Sequence, residues 1–143
     1  MSSRFPVRQS EQESSNLATA RRYLETIESG AVGDDLASFL CSDIEHVELP
    51  NRLTPNGKRN DLAGMLESAR QGQSVLQRQH YDVRTAIASG DTVMLEVRWT
   101  GTLARRVGTL APGQEMRAFF VVVLEFREGR IARQRNYDCF EPF

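Results

Sequence analysis

Apolar positions along the chain follow a helical rhythm in the first half and strict alternation in the second. Leu17, Ala20, Leu24 and Ile27 recur at spacings of three and four, which places them on one stripe and predicts a helix over about residues 12–29. Ser10 and Glu13 have the spacing of a capping box, and Gly30 supplies a left-handed stop. A shorter helix is predicted near residues 34–40, with Leu36, Phe39 and Leu40 inward. A third runs over about 61–71, carries Leu62, Met65, Leu66 and Ala69 on its stripe, and ends before Gly72. Residues 44–49 read as a strand short enough to be an edge, closed by Pro50, Pro55 and the Asn56-Gly57 turn.

From residue 77 onward the period is two. Segments 77–88 and 92–103 flank Ser89-Gly90-Asp91 as a hairpin, and Val93, Leu95, Val97 and Trp99 alternate with Met94, Glu96, Arg98 and Thr100. A long strand over 115–126 turns at Glu128-Gly129 into a last strand over 131–140. The 115–126 strand is apolar on both faces, Phe120, Val122 and Leu124 on one and Phe119, Val121 and Val123 on the other. The chain's own helices need cover only one face, so the other predicts a homodimer contact, with cover by the N-terminal arm as the alternative. These elements make an α+β protein in which a strongly bent antiparallel sheet wraps over three helices. The expected division is a mobile N-terminal arm over 1–12 and one domain over 13–143.

Composition narrows the partners. At 143 residues the chain is long enough to bury a core, and its 18 basic residues nearly balance 19 acidic ones. The arginines are scattered, so nucleic acid is not an expected partner. Cys41 and Cys139 are too few for a disulfide framework and lack ligand spacing, and two distant histidines do not suggest a metal site, so no metal or cofactor is expected. With no apolar run of membrane-spanning length, no membrane partner is expected and the cytoplasm is the default address.

The order of elements, together with Ala20-Arg21-Arg22-Tyr23, His46-Val47-Glu48-Leu49-Pro50, Trp99-Thr100-Gly101, Gly129-Arg130-Ile131 and Arg135-Asn136-Tyr137-Asp138, resembles the nuclear transport factor 2-like superfamily. Within it the chain is most similar to the SnoaL-like and ketosteroid isomerase-like branches, over residues 17–143. The resemblance implies a cone-shaped, cystatin-like α+β fold around a small-molecule pocket. It leaves the reaction open among isomerase, polyketide cyclase-like and hydratase or hydrolase chemistry, because this fold carries many activities. The isomerase tyrosine falls on Tyr23, able to donate to a developing oxyanion. The isomerase base stands directly before a proline, where this chain has Leu49, and Glu48 takes that place only with a one-residue shift. The isomerase oxyanion-hole acid falls on Val122, so steroid isomerase activity itself is not expected. An epoxide-hydrolase relay lacks an acidic companion for Arg117.

Alternation on the last strand puts Gln134, Asn136 and Asp138 on one face and Arg133, Arg135 and Tyr137 on the other. If the first set faces the pocket, Asp138 sits among Trp99, Phe120 and Val122, where desolvation raises a carboxyl toward the pKa of a general base. The alternative is a carboxylate that accepts structural hydrogen bonds at the rim. On the 44–49 strand, inward His46 and Glu48 would join Asp138 and Tyr23 in a polar cluster, whereas inward Val47 and Leu49 would leave an inert cup. The candidate catalytic residues are therefore Asp138, Glu48, His46 and Tyr23. Asn136, Gln134, Trp99, Phe120, Val122, Leu95, Met65 and Arg52 are the candidate binding residues for a small apolar organic ligand, with Arg52 poised at the mouth for an anionic group. His80 is read as a structural hydrogen-bonder. A ligand-binding module without turnover and a dimerisation or interaction domain are the competing readings.

Overall fold

The computed structural model describes residues 9–143. Up to residue 8 the expected arm lies outside the described residues, and Glu11 and Gln12 already belong to the first helix. That helix, α1 (Glu11–Glu28), starts at a complete capping box. Ser10 Oγ accepts the Glu13 N–H at 3.1 Å and a Glu13 carboxylate oxygen accepts the Ser10 N–H at 2.9 Å. The helix turns Ala20, Tyr23 and Leu24 into the core, with Asn16 buried beside them. Its first turn is tied to the distant hairpin, because Gln12 donates to Asp91 and Glu13 accepts the Gly90 N–H.

Helix α2 is only Asp34–Ala37, since the chain turns extended at Leu40. Strand β1 (Leu40–Glu48) thus starts four residues earlier than the alternation suggested, and Leu40 belongs to it instead of to a helix. Strand β2 (Lys58–Asn60) has no apolar signature and exists through pairing with β1, so β1 is not the sheet edge. The turn before β2 depends on Gly57 at φ +71°, where a Cβ would lie 2.8 Å from the Glu48 carbonyl oxygen. Helix α3 (Leu62–Val75), capped by Asp61, runs through Gly72. A glycine costs a helix about 1 kcal/mol but does not end it. The helix stops where Leu76 becomes extended and opens the next strand without a loop.

The remaining strands are β3 (Leu76–Ser89), β4 (Thr92–Leu103), β5 (Glu115–Arg127) and β6 (Arg130–Phe140). With β1 and β2 they form one strongly curved, open six-stranded sheet in the order β2-β1-β6-β5-β4-β3. All neighbours are antiparallel, as expected, except β1 and β6, which run parallel. The fold is α+β with the helices against the concave face, where Val93, Leu95, Val97, Val122, Leu124 and Ile131 are fully buried. Among the described residues no helix is long and apolar enough to cross a membrane.

One irregularity aims the last strand. In the β5–β6 ladder Phe126 pairs with Ile131 and Glu125 with Arg133, leaving Ala132 as an extra residue. Both Ile131 and Gln134 therefore face the concave side although three positions separate them. From Gln134 onward the alternation is regular and carries Asn136 and Asp138 inward.

Candidate functional site

The inward residues of the parallel pair β1 and β6 meet as a polar seam in an otherwise apolar cup. His46 is level with Gln134, and Glu48 with Asn136. The irregularity of β1 lies between Leu40 and Glu45, and from Glu45 to Glu48 its pairing with β6 is regular, so His46 and Glu48 share the inward parity of Gln134 and Asn136 and the polar alternative for this strand is the one realised.

The seam is held by directed hydrogen bonds. Tyr23 donates its phenol proton to Gln134 Oε1 at 2.7 Å, and Gln134 Nε2 donates to Asn136 Oδ1 at 2.9 Å. Asn136 Oδ1 also lies 2.8 Å from His46 Nε2, while Asn60 Nδ2 lies 3.2 Å from His46 Nδ1. An amide oxygen accepts and an amide nitrogen donates, so the network assigns the neutral His46 tautomer with the proton on Nε2. Burial, the largest influence, lowers the pKa of His46 and favours this neutral form.

Past Asn136 the next inward side chain of β6 is Asp138. Burial first, then the charge and hydrogen bond of Glu48, raise its pKa to about 7. Asp138 Oδ1 is buried with no ordinary donor among the described residues, a costly state for an acceptor. Protonation of Asp138 lowers that cost, because a neutral carboxyl beside the Glu48 charge loses less on burial than a carboxylate does. Glu48 is held in turn by Asn51, whose Nδ2 donates to it at 3.2 Å and whose Oδ1 accepts the N–H groups of Leu53 and Thr54.

A cleft of about 690 Å³ opens between α1, α3 and the start of β3, a size suited to a small organic molecule. Tyr23, His46, Asn60, Met65, Gln79 and Tyr81 are among its lining residues. Of the residues singled out from sequence, Tyr23, His46 and Met65 border it directly. Gln134 and Asn136 stand behind Tyr23 and His46 as their hydrogen-bond partners, and Asp138 and Glu48 lie one step further along the seam.

Several expected lining residues do other work. Leu95 and Val122 are fully buried in core without bordering the cleft. Trp99 and Phe120 stack at 5.3 Å between centroids and pack with Phe140 and Phe143, closing one end of the cone. Arg52 does not reach the cleft: it donates to the main-chain oxygen of Phe143 and sits 4.7 Å over that ring. Its planar cation finds an aromatic face there in place of an anionic ligand. His80 is the structural partner expected of it, 2.6 Å from Glu28 on the surface. Sequence reasoning missed Asn60, Gln79 and Tyr81. Asn60 and Gln79 carried no motif, and Tyr81 is marked only by strand alternation, which sets it on the face opposite His80. Among the described residues no three His, Cys, Asp or Glu side chains are grouped to hold a metal ion.

The profile of the SnoaL-like domain matches residues 20–134, four-fifths of the chain and all of the seam except Asn136 and Asp138. The chain belongs to the SnoaL-like family. No curated protein matches it in sequence. Solved structures place this SnoaL-like chain within the nuclear transport factor 2-like fold. AclR from Streptomyces galilaeus superposes with a TM-score of 0.75 at 17% identity, over 91% of this chain and 82% of that one. A SnoaL-like polyketide cyclase from Agrobacterium tumefaciens gives 0.66 at 15%, over 86% and 90%. A ketosteroid isomerase-like fold from Catenulispora acidiphila, solved in complex with trimethylamine, gives 0.60 at 15%, over 80% and 83%. At these identities the likeness is one of fold.

Proposed function

We propose that this SnoaL-like protein is a cofactor-free acid/base catalyst that enolises a largely apolar, carbonyl-bearing molecule held in the cleft. The observation that carries the reading is the Asp138 carboxyl, turned inward next to Glu48 with its Oδ1 buried and without a donor among the described residues, a setting that raises its pKa to about 7. A carboxylate of ordinary basicity is a poor acceptor for a carbon-bound proton, and one poised near neutrality is a better one. In the step proposed, ionised Asp138 takes the proton from the carbon next to the carbonyl. The C–H electron pair becomes the new C=C bond, and the carbonyl π pair moves onto oxygen. Return of the proton to a different carbon gives isomerisation, and attack of the enolate carbon on a second carbonyl of the same molecule gives cyclisation, the π pair of that carbonyl moving onto its oxygen, which takes the proton back from Asp138. The cyclase named among the structural neighbours fits the second outcome.

The test is deuterium exchange. An aryl methyl ketone such as acetylnaphthalene, incubated with the protein in deuterated water, is expected to exchange its methyl protons well above the background rate by NMR. Asp138→Asn is expected to bind the ketone and return exchange to background. Exchange surviving in Asp138→Asn removes that residue from the proposal.

A second reading, binding without turnover, is favoured by the position of Asp138 and Glu48 behind the residues that border the cleft. Ketone binding to the wild-type protein with no accelerated exchange selects it. We further infer self-association through the convex face, where Phe119 is 51% and Tyr137 44% exposed. Val121 and Val123 lie between them and Met94 on adjoining strands, a contiguous apolar surface of the kind that a second copy covers.

A further inference from the structure

Two phenols enter the cleft, Tyr23 from α1 and Tyr81 from β3. A phenol has one proton to give. Tyr23 gives its proton to Gln134 Oε1, and the orientation of that amide is fixed because its nitrogen already serves Asn136. For Tyr23 to polarise a substrate oxygen it would have to abandon a buried acceptor, which costs about 1–3 kcal/mol. The Tyr81 hydroxyl has no hydrogen-bond partner among the described residues, so its proton is uncommitted.

Tyr81 is also held for the task. The Glu28 carboxylate accepts its main-chain N–H at 2.7 Å, pinning β3 to the end of α1, and its ring packs 6.3 Å from that of Phe120. Its hydroxyl thus points from a backbone position fixed by two elements. Burial, followed by the neighbouring Tyr23 and the charges of Asp138 and Glu28, holds the Tyr81 phenol well above the usual range, so it stays a donor at every neutral pH.

From this geometry we infer that Tyr81, not Tyr23, is the hydrogen-bond donor to the substrate's carbonyl oxygen. Tyr23 is then a positioning residue that fixes the Gln134–Asn136–His46 chain. The inference rests on the acid/base reading and adds the group that receives the developing negative charge.

Infrared difference spectroscopy of bound acetylnaphthalene, labelled with carbon-13 at the carbonyl, tests it without turnover. In wild-type protein the carbonyl stretch is expected below its position in an apolar solvent. Tyr81→Phe, which breaks no contact of the folded chain, is expected to bind the ketone, lose that lowering, and exchange methyl protons roughly 100-fold more slowly. Tyr23→Phe is expected to keep the lowering. An unchanged stretch in Tyr81→Phe, or an unlowered stretch in the wild type, overturns the assignment while leaving Asp138 as base. Exchange that persists in Asp138→Asn alongside a stretch lost in Tyr81→Phe overturns the base alone. Failure of the wild type to bind the ketone overturns both.

Discussion

Asp138 and Glu48 project to the same side of neighbouring parallel strands as diagonal neighbours, one step past the rung that pairs Glu48 with Asn136. Burial is the larger influence on Asp138 and the charge of Glu48 the smaller, and together they bring the pKa to about 7. Ketone exchange should therefore rise with pH, pass its midpoint near 7 and level off, following ionisation of Asp138. Glu48→Gln removes the charge but not the burial. Its midpoint should fall below that of the wild type and stay above the ordinary value of 3.8. An unmoved midpoint would show that the two carboxyls titrate independently.

The same shift has a signed effect on stability. Between 3.8 and about 7 the folded chain holds a proton on Asp138 that the unfolded chain has released. Stability attributable to this group is greatest at acid pH, declines as pH rises through that window, and reaches its full cost above about 7. Asp138→Asn relieves the cost and can still donate to Glu48. Its thermal midpoint should match that of the wild type near pH 4 and exceed it at pH 8, by the equivalent of roughly 1–3 kcal/mol. Calorimetry across that range checks it, and a gap that closes on going to pH 8 contradicts the raised pKa.

Much of this seam was legible in the sequence because strand alternation is a strong signal. Gln134, Asn136 and Asp138 share a parity, as do Ile44, His46 and Glu48, and the fold turns both sets inward. Parity could not reveal the extra residue at Ala132, which lets Ile131 and Gln134 occupy the same face. Nor could it reveal β2, whose Lys58-Arg59-Asn60 sequence has no periodicity of its own and is a strand only because β1 offers it an edge. Arg52 was misplaced for a similar reason: its partner, Phe143, is 91 positions away in sequence.

The neutral tautomer of His46 follows from which atoms flank it, Asn136 Oδ1 at Nε2 and Asn60 Nδ2 at Nδ1. Long-range nitrogen–proton NMR should find the proton on Nε2 and a titration midpoint below the ordinary 6.5. As pH falls below 6.5 the unfolded chain gains a proton that the folded chain refuses, so this contribution to stability is present at neutral pH and lost on acidification. Asn136→Asp puts a carboxylate against Nε2 and should move the midpoint upward. A midpoint that stays put would mean that the ring does not bond position 136.

Gly101 tests the packing that closes the cone. A Cβ at this position would meet the Trp99 ring at 2.5 Å and the Leu76 side chain at 2.9 Å. Trp99 lies across the glycine and donates from Nε1 to Gln79 Oε1 at 3.1 Å. Gly101→Val should expel the indole, break that bond and destabilise the fold by about 1–3 kcal/mol. Thermal melts and a red shift of the emission of the lone tryptophan would register it together. Wild-type melting and emission would show that the end of the cone has room to give.

On the convex face, Phe119 and Val121 pair with Cys139 and Tyr137 on one side and with Arg98 and Glu96 on the other. Arg98 lies 5.8 Å over the exposed ring of Phe119, so a polar rim surrounds an apolar centre. If a second copy covers this face, a charge placed at its centre is desolvated without a partner, which two chains cannot tolerate and one can. Val121→Glu should convert a dimer into a monomer by sedimentation equilibrium, and the monomer should retain the far-ultraviolet circular dichroism of the wild type, because the concave core is untouched. A wild-type protein that sediments as a monomer at every concentration removes the convex face as a self-association surface and leaves the cleft chemistry intact.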